Sequence, residues 1–276
     1  MAAPVLQTSG IGGTSGATLA TVAPLYTTGT VYYVLSTTGS DSAAGTEREN
    51  PLATLSQAYT NASAGDIIVL LSGHAETLAS SQTLGKAGLL ILGEGSGTSR
   101  PQLTRSGDVV LLNVTAAGVR IDNVYFPAST VASTNARIKM AAANDRVVNC
   151  YFQHGANDTG PGIETVTGAS QIVISGTTCI STATSLTAQP AQAIKVTNAI
   201  TDLQIGGDSD TSAVTIDGGT VGWSNPYAMN LAAAVTRLAV TKLDLLNGSD
   251  VTVTTGTTGY IYARTVSGGS RIVWPA

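Results

Sequence analysis

Five stretches of the chain share one frame: 112–126 (LNVTAAGVRIDNVYF), 138–152 (IKMAAANDRVVNCYF), 163–180 (IETVTGASQIVISGTTCI), 194–210 (IKVTNAITDLQIGGDSD) and 229–245 (MNLAAAVTRLAVTKLDL). Each opens with two apolar residues two apart, bends through small or polar residues, and enters a second strand. Ile121, Val147, Ile174, Ile205 and Val240 hold equivalent places in that strand, at spacings of 26, 27, 31 and 35 residues. A repeat of this length outranks any single-segment reading, because one such unit cannot bury its apolar side alone. A third inward set follows three and five residues later: Val124 and Phe126, Cys150 and Phe152, Thr177 and Cys179, Leu243 and Leu245. Cys150 and Cys179 therefore face the core on adjacent rungs, one step out of register.

These features predict an all-β fold, a single-stranded right-handed parallel β-helix whose rungs run from about Gly65 to the C-terminus. Each strand pairs with its counterpart one rung away at about 4.8 Å, and Gly, Asn and Asp turn the corners. The competing architecture is a β-sandwich, which needs alternating strands in antiparallel hairpins. Here the strands lie too close together within each unit, and the unit itself recurs.

Ahead of the rungs, Val31 to Leu35 reads as a strand. Asn50 as N-cap, Pro51 at the first helical position, and Leu52, Leu55 and Tyr59 at helical spacing predict a capping helix at 51–61. Such a helix would cover the first exposed rung, which is otherwise a template for unwanted pairing. Residues 1–30 are mostly small and polar without periodicity and read as an extended N-terminal arm, leaving 31–276 as the β-helix domain.

Only 11% of residues are charged, so the surface is built from Thr, Ser, Asn, Gln and Gly. No Lys or Arg cluster could track phosphates, which argues against nucleic acid as a partner. No apolar run is long enough to span a bilayer, and Met1 to Tyr26 lacks the features of a secretory leader, so no membrane partner and no export by that route are expected. Two cysteines in no metal spacing read as reduced core residues.

At Tyr32 to Asp41 (YYVLSTTGSD), Asn50 to Leu55 (NPLATL), Ala64 to Val69 (AGDIIV) and Ala87 to Gly95 (AGLLILGEG) the chain resembles the pectate-lyase-like superfamily of right-handed parallel β-helices. Val69 to Thr77 (VLLSGHAET), with Arg100 to Leu103 (RPQL), is similar more narrowly to virion structural proteins of tailed bacteriophages and prophages. The resemblance covers about residues 31–126; beyond it the rungs are generic. It is specific for fold and weak for function, since that superfamily holds lyases, hydrolases, tailspikes and silent decorations.

Sugar cleavage on such a scaffold needs paired carboxylates, or acidic calcium ligands with an Arg or Lys to draw off a proton. Asp122, Asp145, Glu164, Asp202 and Asp244 fall at different places in the frame and do not stack. Lys139, Glu164, Lys195 and Asn230 share one frame position and read as a solvated ladder. The 206–210 segment (GGDSD) could surround calcium, and the 154–160 loop could hold His154 and Asp158 for catalysis. For both, the simpler reading is a turn whose Asp and Asn bond their own backbone. His74 reads as a corner residue. Trp223 and Tyr227, in the longest insertion, are either exposed contact residues or a cover for the core.

No catalytic residue, cofactor or metal is therefore expected. The resemblance, the arm and the scarcity of charge imply a non-enzymatic virion structural protein, a capsid decoration or cement anchored by its arm and assembled in the host bacterial cytoplasm. Its partners would be the major capsid protein or other virion subunits and copies of itself, a homotrimer first. The alternative is a tail-associated receptor-binding protein or depolymerase acting on bacterial surface polysaccharide. That role requires an aromatic-lined groove or a carboxylate cluster, with Asp158, Asp208 and Asp210 as its residues.

Overall fold

The computed structural model describes residues 29–184, 190–207, 213–223 and 227–273. The predicted arm, apart from its last two residues, lies outside them, as do Asp208 and Asp210. The rest is a parallel β-helix, as the repeat requires. Tyr32, Ile68, Ile91, Ile121, Val147, Ile174, Ile205, Val240 and Ile261 are register partners in succession, one from each rung. The five residues read from the frame form the buried middle of this file.

Each rung contributes to three walls. A larger sheet climbs one wall from Val31–Val34 to Val235–Leu246, a strand long enough to belong to two walls, and returns down the second wall to Ala75–Leu78. A separate eight-stranded sheet runs from Gln82–Leu84 to Ile272–Val273. The third inward set is also in place: Phe126 stacks on Phe152, ring centroids 4.7 Å apart, and Cys179 is the next register partner in that file. Both cysteines are free and buried, and burial pushes each thiol up to about 12. In the fourth unit the third strand comes later than in its neighbours, at Val214–Asp217, after an insertion.

The start of the coil differs from expectation in two ways. Val31–Val34 pairs in parallel with Ile67–Leu70, so the coil begins with that strand and not at Gly65. The helix spans Leu55–Asn61, and its N-cap is Thr54, whose hydroxyl accepts from Gln57 N at 3.1 Å. Asn50 and Pro51 are not helical because tertiary bonds take the backbone behind them: Leu52 bridges to Val34, and the Asp41 carboxylate accepts from Ala53 N and Thr54 N. The helix still buries Leu55 and Ala58 against the coil's first rungs. Lys86 fastens its C-terminal end, donating to the carbonyls of Tyr59, Thr60 and Ala62 where the helix dipole favours a cation.

One corner has the same left-handed geometry in seven successive rungs: Gly65, Gly88, Gly118, Asn144, Gln171, Asp202 and Arg237 all have φ between 53° and 81°. Hydrogen bonds and strand register align them in one column. Glycine takes this conformation at no steric cost in the first three rungs. Gln171 and Arg237 do so at about 1 kcal/mol or more each, held by the rungs on either side.

Asp145 interrupts an apolar inward file. It stands between Val119 and Ile172, the residues that precede the aligned Arg120 and Val173 of the neighbouring rungs. Its Oδ1 accepts from Val119 N at 2.9 Å, while Oδ2 has no partner. Burial raises the carboxyl to about 7 from its ordinary 3.8, against the opposing pull of the Val119 and Gly118 N–H groups. Between about pH 4 and 7 the folded chain thus keeps a proton that the unfolded chain has released, so this residue makes stability fall as pH rises across that window. Asp145→Asn keeps the bond to Val119 without the titration. In thermal melts across this range the variant is expected to lose the decline and to melt above the wild type at neutral pH.

Candidate functional site

The 154–160 loop does not present a catalytic pair to solvent. His154 and Asp158 are both fully buried, and they meet two arginines that the sequence reading did not single out, Arg105 and Arg137. Asp158 pairs with Arg105 at 3.2 Å through one oxygen and with Arg137 at 2.9 Å through the other. It also accepts from Gly155 N at 2.8 Å and Ser129 N at 3.0 Å. The expectation that Asp158 bonds its own turn therefore holds for Gly155, and its ion pairs extend well beyond the turn.

Arg137 donates to the carbonyls of Pro127 and Gln153 and lies 3.0 Å from His154 Nδ1. Because a guanidinium has only donors, Nδ1 is the acceptor and the imidazole proton sits on Nε2. Burial, and then the positive charges of Arg137 and Arg105, hold His154 well below its ordinary pKa, so it is neutral. Its ring meets Trp223 edge to face at 5.2 Å. Trp223 is itself buried, donating to Ser249 Oγ at 3.1 Å, so it covers the core and is not a surface contact. Tyr227 is half-buried.

The other candidates also find structural places. His74 is buried at a corner, accepting from Ser36 N on one side and meeting Glu76 on the other. Lys139, Glu164, Lys195 and Asn230 are consecutive register partners, with Lys195 3.8 Å from Glu164. Asp122, Asp145, Glu164, Asp202 and Asp244 pair with other residues and not with one another. Among the described residues no three His, Cys, Asp or Glu side chains gather where a metal ion could be held.

Among the grooves on the outside of the coil, two combine polar or aromatic side chains from successive rungs. The first, about 310 Å³, follows the left-handed corner, where Asn144, Gln171, Asp202 and Arg237 adjoin Arg146 and Gln204. Its carboxylate is held in a two-point pair by Arg237, at 2.5 Å from both Nε and Nη2. That pairing lowers the Asp202 pKa and makes it a poorer base.

The second groove, about 380 Å³, is aromatic. Tyr125 and Tyr151 are register partners on adjacent rungs, 5.4 Å apart and inclined at 66°, flanked by Arg100, Gln102 and Thr98. Both tyrosines are half-buried. The Tyr125 hydroxyl donates to the Gln153 side-chain oxygen, and the Gln153 backbone carbonyl accepts from Arg137, so the buried cluster braces this face. Burial, then Tyr151, raise the Tyr125 phenol above its ordinary pKa, keeping it protonated at neutral pH. The signal was present in the repeat: Val-Tyr-Phe and Cys-Tyr-Phe stand at one frame position, and strand alternation that turns Phe126 and Phe152 inward turns the tyrosines outward.

No family model matches the chain, and no curated protein matches its sequence. Two solved structures are similar to it. A pectate lyase, Pel9A, is 13% identical, with 87% of this chain and 78% of that one covered and a TM-score of 0.51. A rhamnogalacturonan lyase is 12% identical, with 89% and 84% covered and a TM-score of 0.49. At such identities the likeness is one of fold. It nonetheless corrects the expectation of a non-enzyme: this coil is one that a pectate lyase also has, so the fold does not speak against catalysis. The phage likeness gains no support from the pectate lyase.

The Arg105–Asp158–Arg137 cluster yields a test of its own. Asp158→Asn preserves the shape but leaves two buried guanidiniums without a counter-charge. It is expected to cost about 3–5 kcal/mol in urea unfolding, far more than Glu164→Gln on the solvated ladder, at about 1 kcal/mol or less.

Proposed function

We propose that the chain acts on polysaccharide, seating a glycan strand on the tyrosine groove of the outer wall. The observation that carries this reading is the outward pair of Tyr125 and Tyr151 beside Arg100 and Gln102. Tyrosine rings offer broad apolar faces on which the C–H side of a sugar ring can pack, with hydroxyls at the rim for its polar groups. Gln102 adds a donor and an acceptor, and Arg100 a cation that could hold an acidic sugar. This is the aromatic-lined groove that the depolymerase alternative called for, though not at Asp158, which is sealed inside.

The ionised group lining the groove is a guanidinium and not a pair of carboxylates. The groove supplies no carboxylate pair for hydrolysis and no acidic calcium ligands; in an elimination Arg100 would stabilise the charge on the acidic sugar's carboxyl while water takes the neighbouring proton and the glycosidic oxygen leaves with the bonding pair. Bacterial surface polysaccharides are the first substrates to test. Incubation with an acidic capsule or lipopolysaccharide fraction is expected to release oligosaccharides with unsaturated ends, followed by ultraviolet absorbance. Tyr151→Ala should weaken glycan binding by about tenfold with the melting curve little changed, and Arg100→Gln should suppress product. Undiminished binding by Tyr151→Ala would remove the groove from consideration.

A further inference from the structure

The outer side of the first wall carries a line of side chains that the tyrosine groove does not use. Arg146, Val173, Gln204, Ala239 and Tyr260 succeed one another there as register partners, one from each rung. Strand alternation turns them outward, because the residue after each belongs to the inward file that runs through Val147 and Val240. The groove at the left-handed corner runs beside the first four, and Tyr260, 55% exposed, stands on the next rung at its end. Four rung steps of about 4.8 Å separate Arg146 from Tyr260, so the line is about 19 Å long.

The groups along it are open. The Arg146 guanidinium is exposed and has no ion-pair or hydrogen-bond partner among the described residues. Across the groove Asn144 and Gln171 present exposed side-chain amides that are likewise unengaged. Beyond them Arg237 neutralises Asp202, so the groove keeps the one positive charge of Arg146. The backbone adds a second indication. Gln171, at φ 53°, and Arg237, at φ 63°, hold a conformation that glycine takes freely at the same corner in the first three rungs. Side chains stand here at a cost in stability that glycine would avoid, which points to a use for what they present at the surface.

We propose that this line is a second glycan site, which seats an acidic oligosaccharide lengthwise along the coil, one sugar carboxylate on Arg146 and the apolar face of a later unit on Tyr260. A guanidinium edge matches the two oxygens of a carboxylate, and an aromatic ring packs against the C–H face of a sugar. The amides between them can donate to and accept from ring hydroxyls. An oligosaccharide engages both ends at once, whereas a single acidic sugar reaches one. One free cation is too few to track a nucleic acid strand. The site rests on the proposed function for its class of ligand and on none of the residues of the tyrosine groove, which lies on the second wall.

The test is calorimetric titration of the full chain with tetragalacturonate, beside galacturonate and the neutral cellotetraose, on the wild type and on Tyr151→Ala. In Tyr151→Ala, whose other groove is impaired, tetragalacturonate is expected to bind about tenfold or more tighter than either control. Arg146→Gln and Tyr260→Ala, each added to that chain, should weaken binding by about tenfold. Both positions are on the surface, so the melting curve should hardly move. Gln171→Gly separates a binding role from a structural one: freed of the left-handed strain it should melt at or above its parent, yet bind tetragalacturonate more weakly. Binding by the wild type and none by Tyr151→Ala would overturn this site and leave the tyrosine groove standing. No binding by either chain, equal binding of galacturonate or cellotetraose, or parent-like binding by Arg146→Gln, Tyr260→Ala or Gln171→Gly would each overturn it as well, while oligosaccharide release, read separately, bears on the tyrosine groove alone.

Discussion

Hydrogen bonding between rungs, each strand satisfied by one lying a full turn of chain away, is the constraint from which the rest follows. Ile121, Val147, Ile174 and Ile205 are 26 to 31 residues apart in sequence and direct neighbours in space. No local partner can replace those bonds, so every rung must bring its strands to the same height and in the same register. Extra residues do not disturb that register: Val214–Asp217 starts later in its unit and still pairs with Thr178–Ser181. The outer face inherits that regularity. Tyr125 meets Tyr151, and Lys195 meets Glu164, because the inward residues beside them have already been aligned.

This explains what could be read from the chain and what could not. The inward files were legible because apolar character recurs at a fixed place in each unit, and the Lys139–Glu164–Lys195–Asn230 ladder followed from the same frame. The helix start was not legible: Asn50-Pro51 is a sound local signal, but the pairing of Leu52 with Val34 and the bonds from Asp41 outweigh it. Asp145 stood in the sequence only as one of five acids that do not stack; the register shows that its side chain enters an apolar file. The Arg105–Asp158 pair spans 53 residues and joins the end of the Gln102–Arg105 strand to the 154–160 loop, both outside the five aligned units, so no periodicity announces it. The tyrosines were in view within the repeated motif, masked by attention to the inward phenylalanines.

The buried cluster also shows how a solenoid holds the segments its ladder cannot reach. The loops around Pro127 to Asn135 and Gly155 to Thr159 have few strand bonds, and their carbonyls and N–H groups need partners. Arg137 takes Pro127 O and Gln153 O, Arg105 takes Asn135 O and Val109 O, and Asp158 takes Ser129 N and Gly155 N. Buried ions are a costly way to gain stability, and well-packed apolar groups often do as well. Apolar groups, however, could not have satisfied six backbone groups from three separate stretches of chain. The same ions also fix Gln153, and through it the hydroxyl of Tyr125, so loop anchoring and the shape of the outer groove are one arrangement.

The low charge content misled for a physical reason. Composition averages over the whole surface, whereas a coil repeats each face at every rung and can gather a few side chains along one line. Of the 13 Lys and Arg residues, Arg120 and Arg146 are direct register partners on one wall, and Arg100 lines the groove on the next. Arg105 and Arg137 converge on a single carboxylate within the same few rungs. Five guanidiniums stand in a short length of coil, Arg120 paired with Asp122 and Arg105 and Arg137 sharing Asp158, so the charges of a chain whose formal total is -4 are gathered unevenly. An anionic ligand responds to the field at that place and not to the mean over the molecule, so the chemistry of such a fold has to be sought rung by rung.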